Sequence, residues 1–282
     1  MTRRRSSSSR GAAGWALLLC LWACGVRADA LAGIEAIQAM YRARFPTVAT
    51  DDYVLGAYAI DPALRAQWEQ INEFPPYEFA IDEGRTLFET ALPDGTLLAD
   101  CLPGGGVGTA HTWPHILPAG EIDTLPLAIN RCRTAHGAKP WAFDRGPMVA
   151  VLTYLASTSR EQRQAVALPS TDAARAALET GQALFMARRG SRNFSCYGCH
   201  VTAAGKHLRE QTLAPLWGAA NHYPVYGLGW GAMGTLHARF AGCFEMSGAT
   251  ALASQSPEYR ALEYFLAVLG RGLPWIAPGL TR

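Results

Sequence analysis

Asn193-Phe194-Ser195-Cys196-Tyr197-Gly198-Cys199-His200 is the stretch that decides the fold. Its last five residues form C-x-x-C-H, the attachment signature of a c-type haem. Two thiols at that spacing add across the haem vinyl groups, and the next residue brings an imidazole to the iron. On a short helical turn both sulfurs and the ring nitrogen lie on one side. A redox dithiol needs a strand–helix–strand context, which the flanking sequence lacks. Half of a zinc site needs a second ligand pair at suitable spacing, and none follows. The motif predicts one covalent haem c held by Cys196 and Cys199, with His200 as an axial ligand of its iron.

The flanks fit that reading. Residues 171–187 predict a helix, with Ser170 or Thr171 as its cap and Ala174, Leu178, Gly181, Leu184 and Phe185 at helical spacing. Ser256-Pro257-Glu258 predicts another helix start, with proline in the first turn. Tyr259, Leu262, Phe265, Leu266 and Leu269 then line one face. A helix before the haem motif and a final helix crossing it is the cytochrome c plan. Gly181 lets the two backbones approach closely.

The first half of the chain repeats the second. Glu83-Gly84-Arg85-Thr86-Leu87-Phe88 matches Thr180-Gly181-Gln182-Ala183-Leu184-Phe185. Cys101 follows Gly84 by 17 residues, and Cys196 follows Gly181 by 15. Cys132 precedes a helix at 148–156, whose end Tyr154-Leu155-Ala156 matches Phe265-Leu266-Ala267. The distance from Cys132 to Ala156 is 24 residues, as it is from Cys243 to Ala267. The expected fold is therefore mainly α, with two fused cytochrome c-like domains. Asp100-Cys101-Leu102-Pro103-Gly104-Gly105 carries no C-x-x-C-H, so only the C-terminal domain is expected to bind haem. The expected boundaries are a helical extension over 29–77, a haem-free domain over 78–160 and a haem domain over 161–282. A polar linker is expected near 157–170, and amphipathic helices at 31–45 and 62–74.

Composition and charge narrow the function. The chain has 282 residues, 49% of them apolar and 17% charged, which excludes a disordered chain. Seven cysteines are too sparse for a disulfide mini-scaffold. Arg3, Arg4, Arg5 and Arg10 precede an apolar run over 12–24, and Val26-Arg27-Ala28 offers a cleavage site. Residues 1–28 read as a signal peptide for export to the periplasm. The run is too short for a membrane span, and no later stretch is as long. Without the leader, 20 basic residues face 23 acidic ones, so nucleic acid loses its electrostatic motive.

Five cysteines remain beyond the leader. Cys196 and Cys199 take the haem, and Cys101 is expected to pair with Cys132, since two free thiols suit an oxidising space poorly. Cys243 is left over, 43 residues beyond His200. Met233 and Met246 compete with it as the distal iron ligand, and an inert buried thiol is a further alternative. Its lack of a partner and its place in the repeat favour Cys243 as ligand. Arg239, four residues earlier, is expected to depress the thiol pKa and to bind an anion.

These residues resemble a known family, the SoxA subunits of the SoxAX cytochrome complex of sulfur oxidation. The resemblance rests on Arg188-Arg189-Gly190, the haem motif, Ala204-Gly205-Lys206-His207-Leu208-Arg209 and Arg239-Phe240-Ala241-Gly242-Cys243. Ser256-Pro257-Glu258-Tyr259, Arg271-Gly272-Leu273-Pro274 and Leu127-Ala128-Ile129-Asn130-Arg131-Cys132-Arg133 extend it over most of the chain. It implies an L-cysteine S-thiosulfotransferase of the single-haem type, joined to a small c-type cytochrome, SoxX. The implied reaction couples thiosulfate to a cysteine of the SoxYZ carrier and passes two electrons to haem. It further implies His200 and Cys243 as axial ligands, a persulfide on Cys243, and Arg239 as a substrate-binding residue. The sequence departs from the family at Ala238 and Ala241 and in Phe244-Glu245-Met246-Ser247, where basic residues are expected. Lys206 and Arg209 read as a solvated face. The alternatives are a thiosulfate dehydrogenase, whose relatives resemble two-haem chains, and a plain electron-transfer cytochrome.

Overall fold

The computed structural model describes residues 29–281. The signal peptide expected over 1–28 lies outside the described residues. Ten α-helices are found among the described residues: α1 (Ala30–Arg44), α2 (Ala57–Ile60), α3 (Pro62–Asn72), α4 (Glu78–Glu89), α5 (Leu98–Cys101), α6 (Leu125–Ala135), α7 (Pro147–Ser157), α8 (Asp172–Met186), α9 (Leu236–Ser247) and α10 (Pro257–Leu269). Strands are short. β1 (His115–Ile116) pairs with β2 (Ile122–Asp123), and β3 (His207–Leu208) pairs with β4 (Gln211–Thr212), both antiparallel. β5 (Val225–Gly227) lies between antiparallel β6 (Ala232–Gly234) and parallel β7 (Gly279–Thr281). No helix among the described residues is long and apolar enough to cross a membrane.

The helix ends follow local chemistry. The Thr171 hydroxyl accepts from Ala174 N–H at 3.1 Å and opens α8. Ser256 accepts from Tyr259 N–H at 3.3 Å and opens α10, with Pro257 in the first turn. Each hydroxyl satisfies an N–H that the helix itself cannot. Asp61 does the same for α3, accepting from Ala63 and Leu64.

Two helix crossings carry the architecture, and they are copies of one another. α8 crosses α10 at Gly181, where an added Cβ would lie 2.1 Å from the Ala261 carbonyl oxygen and 2.8 Å from Phe265 Cβ. α4 crosses α7 at Gly84, where an added Cβ would lie 2.0 Å from the Ala150 carbonyl oxygen and 2.8 Å from Tyr154 Cβ. In both, glycine is required because backbone meets backbone. The copy extends further. Trp113–Pro114 and Tyr223–Pro224 are both cis, each leads into a short hairpin, and Thr124 and Thr235 then precede α6 and α9.

The two halves fill their centres differently. In the first, Leu98, Leu102, Ile129, Met148 and Leu155 pack into a closed apolar core. Cys101 is bonded to Cys132 across a separation of 31 residues. By loop-closure entropy such a link contributes about 3–4 kcal/mol. In the second, Leu178, Phe185, Tyr259, Leu262, Phe265 and Leu269 form the floor below the C-x-x-C-H segment.

The polar stretch 157–170, expected as a linker, is tied down. Gln164 N–H donates to Leu273 O at 3.0 Å, and its carbonyl accepts from Gly272 N–H at 2.9 Å. Trp275 N–H donates to Gln162 O, Ala165 N–H donates to His111 O, and Val166 is fully buried. Main-chain pairing, which polar composition does not reveal, anchors this segment.

Replacing Gly181 or Gly84 by alanine is expected to destabilise the protein by about 1–3 kcal/mol, although alanine favours helix. Thermal denaturation of the haem-loaded protein checks this, and an unchanged midpoint would refute the close crossings.

Candidate functional site

Ser195 opens the C-x-x-C-H turn, its hydroxyl accepting from Gly198 N–H at 2.9 Å. Residues Gly198–Thr202 continue as a wide π turn. Such turns re-aim side chains and recur at functional sites. His200 Nδ1 lies 2.8 Å from the Ala214 carbonyl oxygen. A carbonyl only accepts, so Nδ1 carries the proton and Nε2 offers a lone pair. Burial pushes the His200 pKa down to about 4, against the Ala214 hydrogen bond and aided by the Arg239 cation. The ring is therefore neutral at ordinary pH, the form that ligates metal.

The N-terminal helix holds this turn from outside. Tyr41 OH donates to the His200 carbonyl at 2.9 Å and accepts from Leu216 N–H at 3.1 Å. Arg44 donates to the carbonyls of Val201 at 2.7 Å and Thr202 at 2.8 Å. Tyr53 OH donates to Tyr41 O at 2.9 Å, and its ring stacks on Trp217 with centroids 4.8 Å apart. These groups satisfy carbonyls that the end of a helical turn leaves free.

Three sulfurs lie within electrostatic reach of one another. Burial foremost, and then Cys243, push the Cys196 thiol up to about 12. Cys199 is likewise raised by burial and then by Cys243. Cys243 is thus electrically close to both attachment thiols. It sits on α9, which begins where the Thr235 hydroxyl accepts from Ala238 N–H at 3.2 Å. Arg239 and Cys243 lie one turn apart on the same helix face. An added Cβ on Gly242 meets nothing within 4 Å, so the helix beside Cys243 borders open space.

The expected depression of the Cys243 pKa is not what results. Arg239 does lower it, but burial is the larger influence and the thiol is pushed up. A sulfur anion here needs more positive charge than Arg239 supplies, and a ligated iron would provide it. The donor set therefore suits a haem: two thiols for attachment, an unshared imidazole nitrogen, a third sulfur and room beside it. It does not suit a bare zinc ion. Among the described residues, the cluster of His, Cys, Asp or Glu with ligand atoms all within 4.8 Å of one another is Cys101, Cys132 and His136, and its sulfurs are already bonded together. Of the competing thioethers, Met246 is 43% exposed and Met233 lies on β6 opposite Tyr226.

Arg239 makes no ion pair among the described residues. Its charge acts on His200, His222, Tyr223 and Cys243. Lys206 and Arg209 are exposed on the β3–β4 hairpin, away from this role. Reading the sequence missed His222 and Tyr223. His222 Nδ1 lies 3.1 Å from Val54 O, and its ring stacks on Tyr223 with centroids 4.9 Å apart. Burial pushes the His222 pKa down to about 4. The same cause pushes the Tyr223 hydroxyl up, with Arg239 opposing. A signal was present: Tyr223-Pro224 echoes Trp113-Pro114 in the repeat. Tyr41, Arg44 and Arg189 were missed as well. Arg189 lies over the Phe244 ring at 4.1 Å and lowers the Cys196 pKa against burial.

A mainly helical chain of two crossed-helix repeats, one bearing C-x-x-C-H and a third sulfur in its electrostatic reach, is a cytochrome c of fused-domain type. The family model for the SoxA/TsdA cytochrome c domain matches residues 83–163 and 180–275. The chain belongs to this family. It is 47% identical over 248 residues to the L-cysteine S-thiosulfotransferase subunit SoxA of Allochromatium vinosum, covering 88% of each chain. It is 42% identical over 252 residues to the subunit of that name from Chlorobaculum tepidum, covering 89% of this chain and 87% of that one. Its fold is similar to a chain in the crystal structure of SoxXA from P. pantotrophus, with TM-score 0.70, 24% identity and coverage of 77% and 84%.

Tyr41→Phe removes both hydrogen bonds at the His200 turn. It is expected to cost about 1–3 kcal/mol of stability, measured as a lower thermal midpoint with full haem content. An unaltered midpoint would show that the clamp is idle.

Proposed function

We propose that this chain is the SoxA-type subunit of an L-cysteine S-thiosulfotransferase, coupling thiosulfate to a cysteine of a carrier protein. The observation that carries the reading is Arg239: a partly buried guanidinium with no ion pair among the described residues, one helical turn from Cys243 and acting on it. A near-neutral protein holds a small dianion only where a local cation is left unneutralised. Guanidinium suits the oxygens of such an anion because it offers paired donors.

In this reading Cys196 and Cys199 would hold one haem c covalently, and His200 Nε2 and the Cys243 sulfur would bind its iron. Haem c, when bound, supplies a one-electron acceptor. Ala214 O keeps the His200 tautomer fixed. Arg239 draws the sulfonate end of thiosulfate toward Cys243. The terminal sulfur of thiosulfate bonds to the carrier cysteine sulfur, that cysteine's proton goes to solvent, and two electrons leave. Two electrons exceed the capacity of a single one-electron centre, so a second acceptor is needed. A small c-type cytochrome of the SoxX kind fits that need, and the SoxYZ carrier fits as the thiol substrate. The leader expected over 1–28 supports a periplasmic site of action. Residues 29–77, 78–160 and 161–282 are read as extension, haem-free domain and haem domain, which the separate helix crossings support. A plain electron carrier would have no use for an unpaired arginine beside its ligand, and a two-haem dehydrogenase would need a second C-x-x-C-H.

Cys243→Ser is expected to retain covalent haem and to abolish thiosulfate-dependent modification of the carrier, read by mass spectrometry of the carrier. Retained turnover would overturn the role of this sulfur. The ferric wild-type protein is expected to give the low-spin electron paramagnetic signature of thiolate ligation, lost in the variant. Arg239→Ala is expected to raise the thiosulfate KM about ten- to a hundredfold, the worth of a charged hydrogen bond.

A further inference from the structure

We infer that Trp230 is a positioning residue for the anion site, its indole laid across a glycine platform so that its π face braces the Arg239 guanidinium. The inference rests on Arg239 as the thiosulfate-binding residue. The β5–β6 hairpin turns through Leu228-Gly229-Trp230-Gly231, closed by Trp230 N–H donating to Gly227 O at 3.0 Å and Gly231 N–H donating to the same carbonyl at 2.8 Å. The strand register places Val225 opposite Gly234 and Gly227 opposite Ala232. Gly227 and Gly234 therefore share one face of the ribbon.

The indole folds back onto that face. An added Cβ on Gly227 would lie 2.3 Å from Trp230 Cε3, and one on Gly234 would lie 2.7 Å from Trp230 Cζ3. Both glycines are buried, and neither has a positive φ, so their backbones could accept another residue. The seat of the indole is what they make room for. An aromatic ring held so closely is nonetheless 46% exposed, so core burial does not explain it. Its ring centroid lies 6.0 Å from Arg239 Cζ, at the outer range of a cation–π contact.

That contact has a purpose an acidic partner could not serve. A carboxylate beside Arg239 would orient it but cancel its charge toward an incoming dianion. An aromatic face restrains the long side chain and leaves the charge and its N–H donors available. The arginine is then pre-organised, and less side-chain freedom is lost when substrate binds.

The test uses the holo-protein with its cytochrome partner and carrier, comparing Trp230→Ala, Trp230→Phe, Gly234→Ala and Arg239→Ala. Trp230→Ala is expected to raise the thiosulfate KM about fivefold with kcat within about twofold, as losing one cation–π contact implies. Trp230→Phe is expected to restore most of the loss, and Gly234→Ala to reproduce it by displacing the indole. The haem absorption spectrum and potential are expected to stay unchanged in the Trp230 variants. If Arg239→Ala raises KM and Trp230→Ala does not, the positioning role falls while the anion site stands. If Trp230→Phe fails to rescue, or the haem potential moves in parallel with KM, the role is merely structural and the inference falls. If Arg239→Ala leaves KM unchanged, the anion site and the inference fall together.

Discussion

The contact between two helix backbones at Gly181 and Ala261 is the constraint from which the rest follows. It fixes α8 against α10, and with them the point where the chain leaves α8 for the haem motif. Packing at such close range admits one relative position, because a Cβ at position 181 would meet the Ala261 carbonyl. The same contact recurs at Gly84 and Ala150, where no haem motif follows. One scaffold thus serves two ends. In the second repeat it supports the C-x-x-C-H segment, whose two sulfurs feel a third at Cys243. In the first it closes over Leu98, Ile129 and Met148 and is fastened by a disulfide.

Irregular backbone needs outside partners, and the haem motif takes them from the other end of the chain. The π turn at Gly198–Thr202 leaves carbonyls that its own residues cannot satisfy. Tyr41 and Arg44 on α1 supply the donors, and Tyr53 in turn fixes Tyr41. Val54 accepts from His222 on the other side of the site. The extension is in this sense part of the site's wall.

The electrostatics of the site set burial against one cation. Burial keeps His200 and His222 neutral and the thiols protonated. Arg239 opposes it at Cys243 without prevailing. Among the described residues its charge is not spent on a carboxylate, so it stays available to an anion. A third sulfur and a neutral imidazole, both under the influence of one unneutralised guanidinium, are what the proposed anion-dependent chemistry needs.

Much of this was legible in residue order. C-x-x-C-H carries its own chemistry, and capped amphipathic runs at 171–187 and after Ser256 carry local helix signals that need no tertiary context. The repeat was legible because Gly84 and Gly181, and Cys132 and Cys243, keep their spacing to the helices that follow. What lay beyond reach was any property set by approach of distant segments. The anchoring of 157–170 depends on main-chain pairing with Leu273 and Trp275. The clamp on His200 joins residues 159 positions apart. The net rise of the Cys243 pKa is a balance between burial and Arg239, and burial belongs to the packed molecule alone. Sequence determined which residues are candidates to hold a haem and bind an anion; tertiary structure decided which neighbours orient them, because hydrogen bonding and desolvation act through space and leave no mark at fixed spacing along the chain.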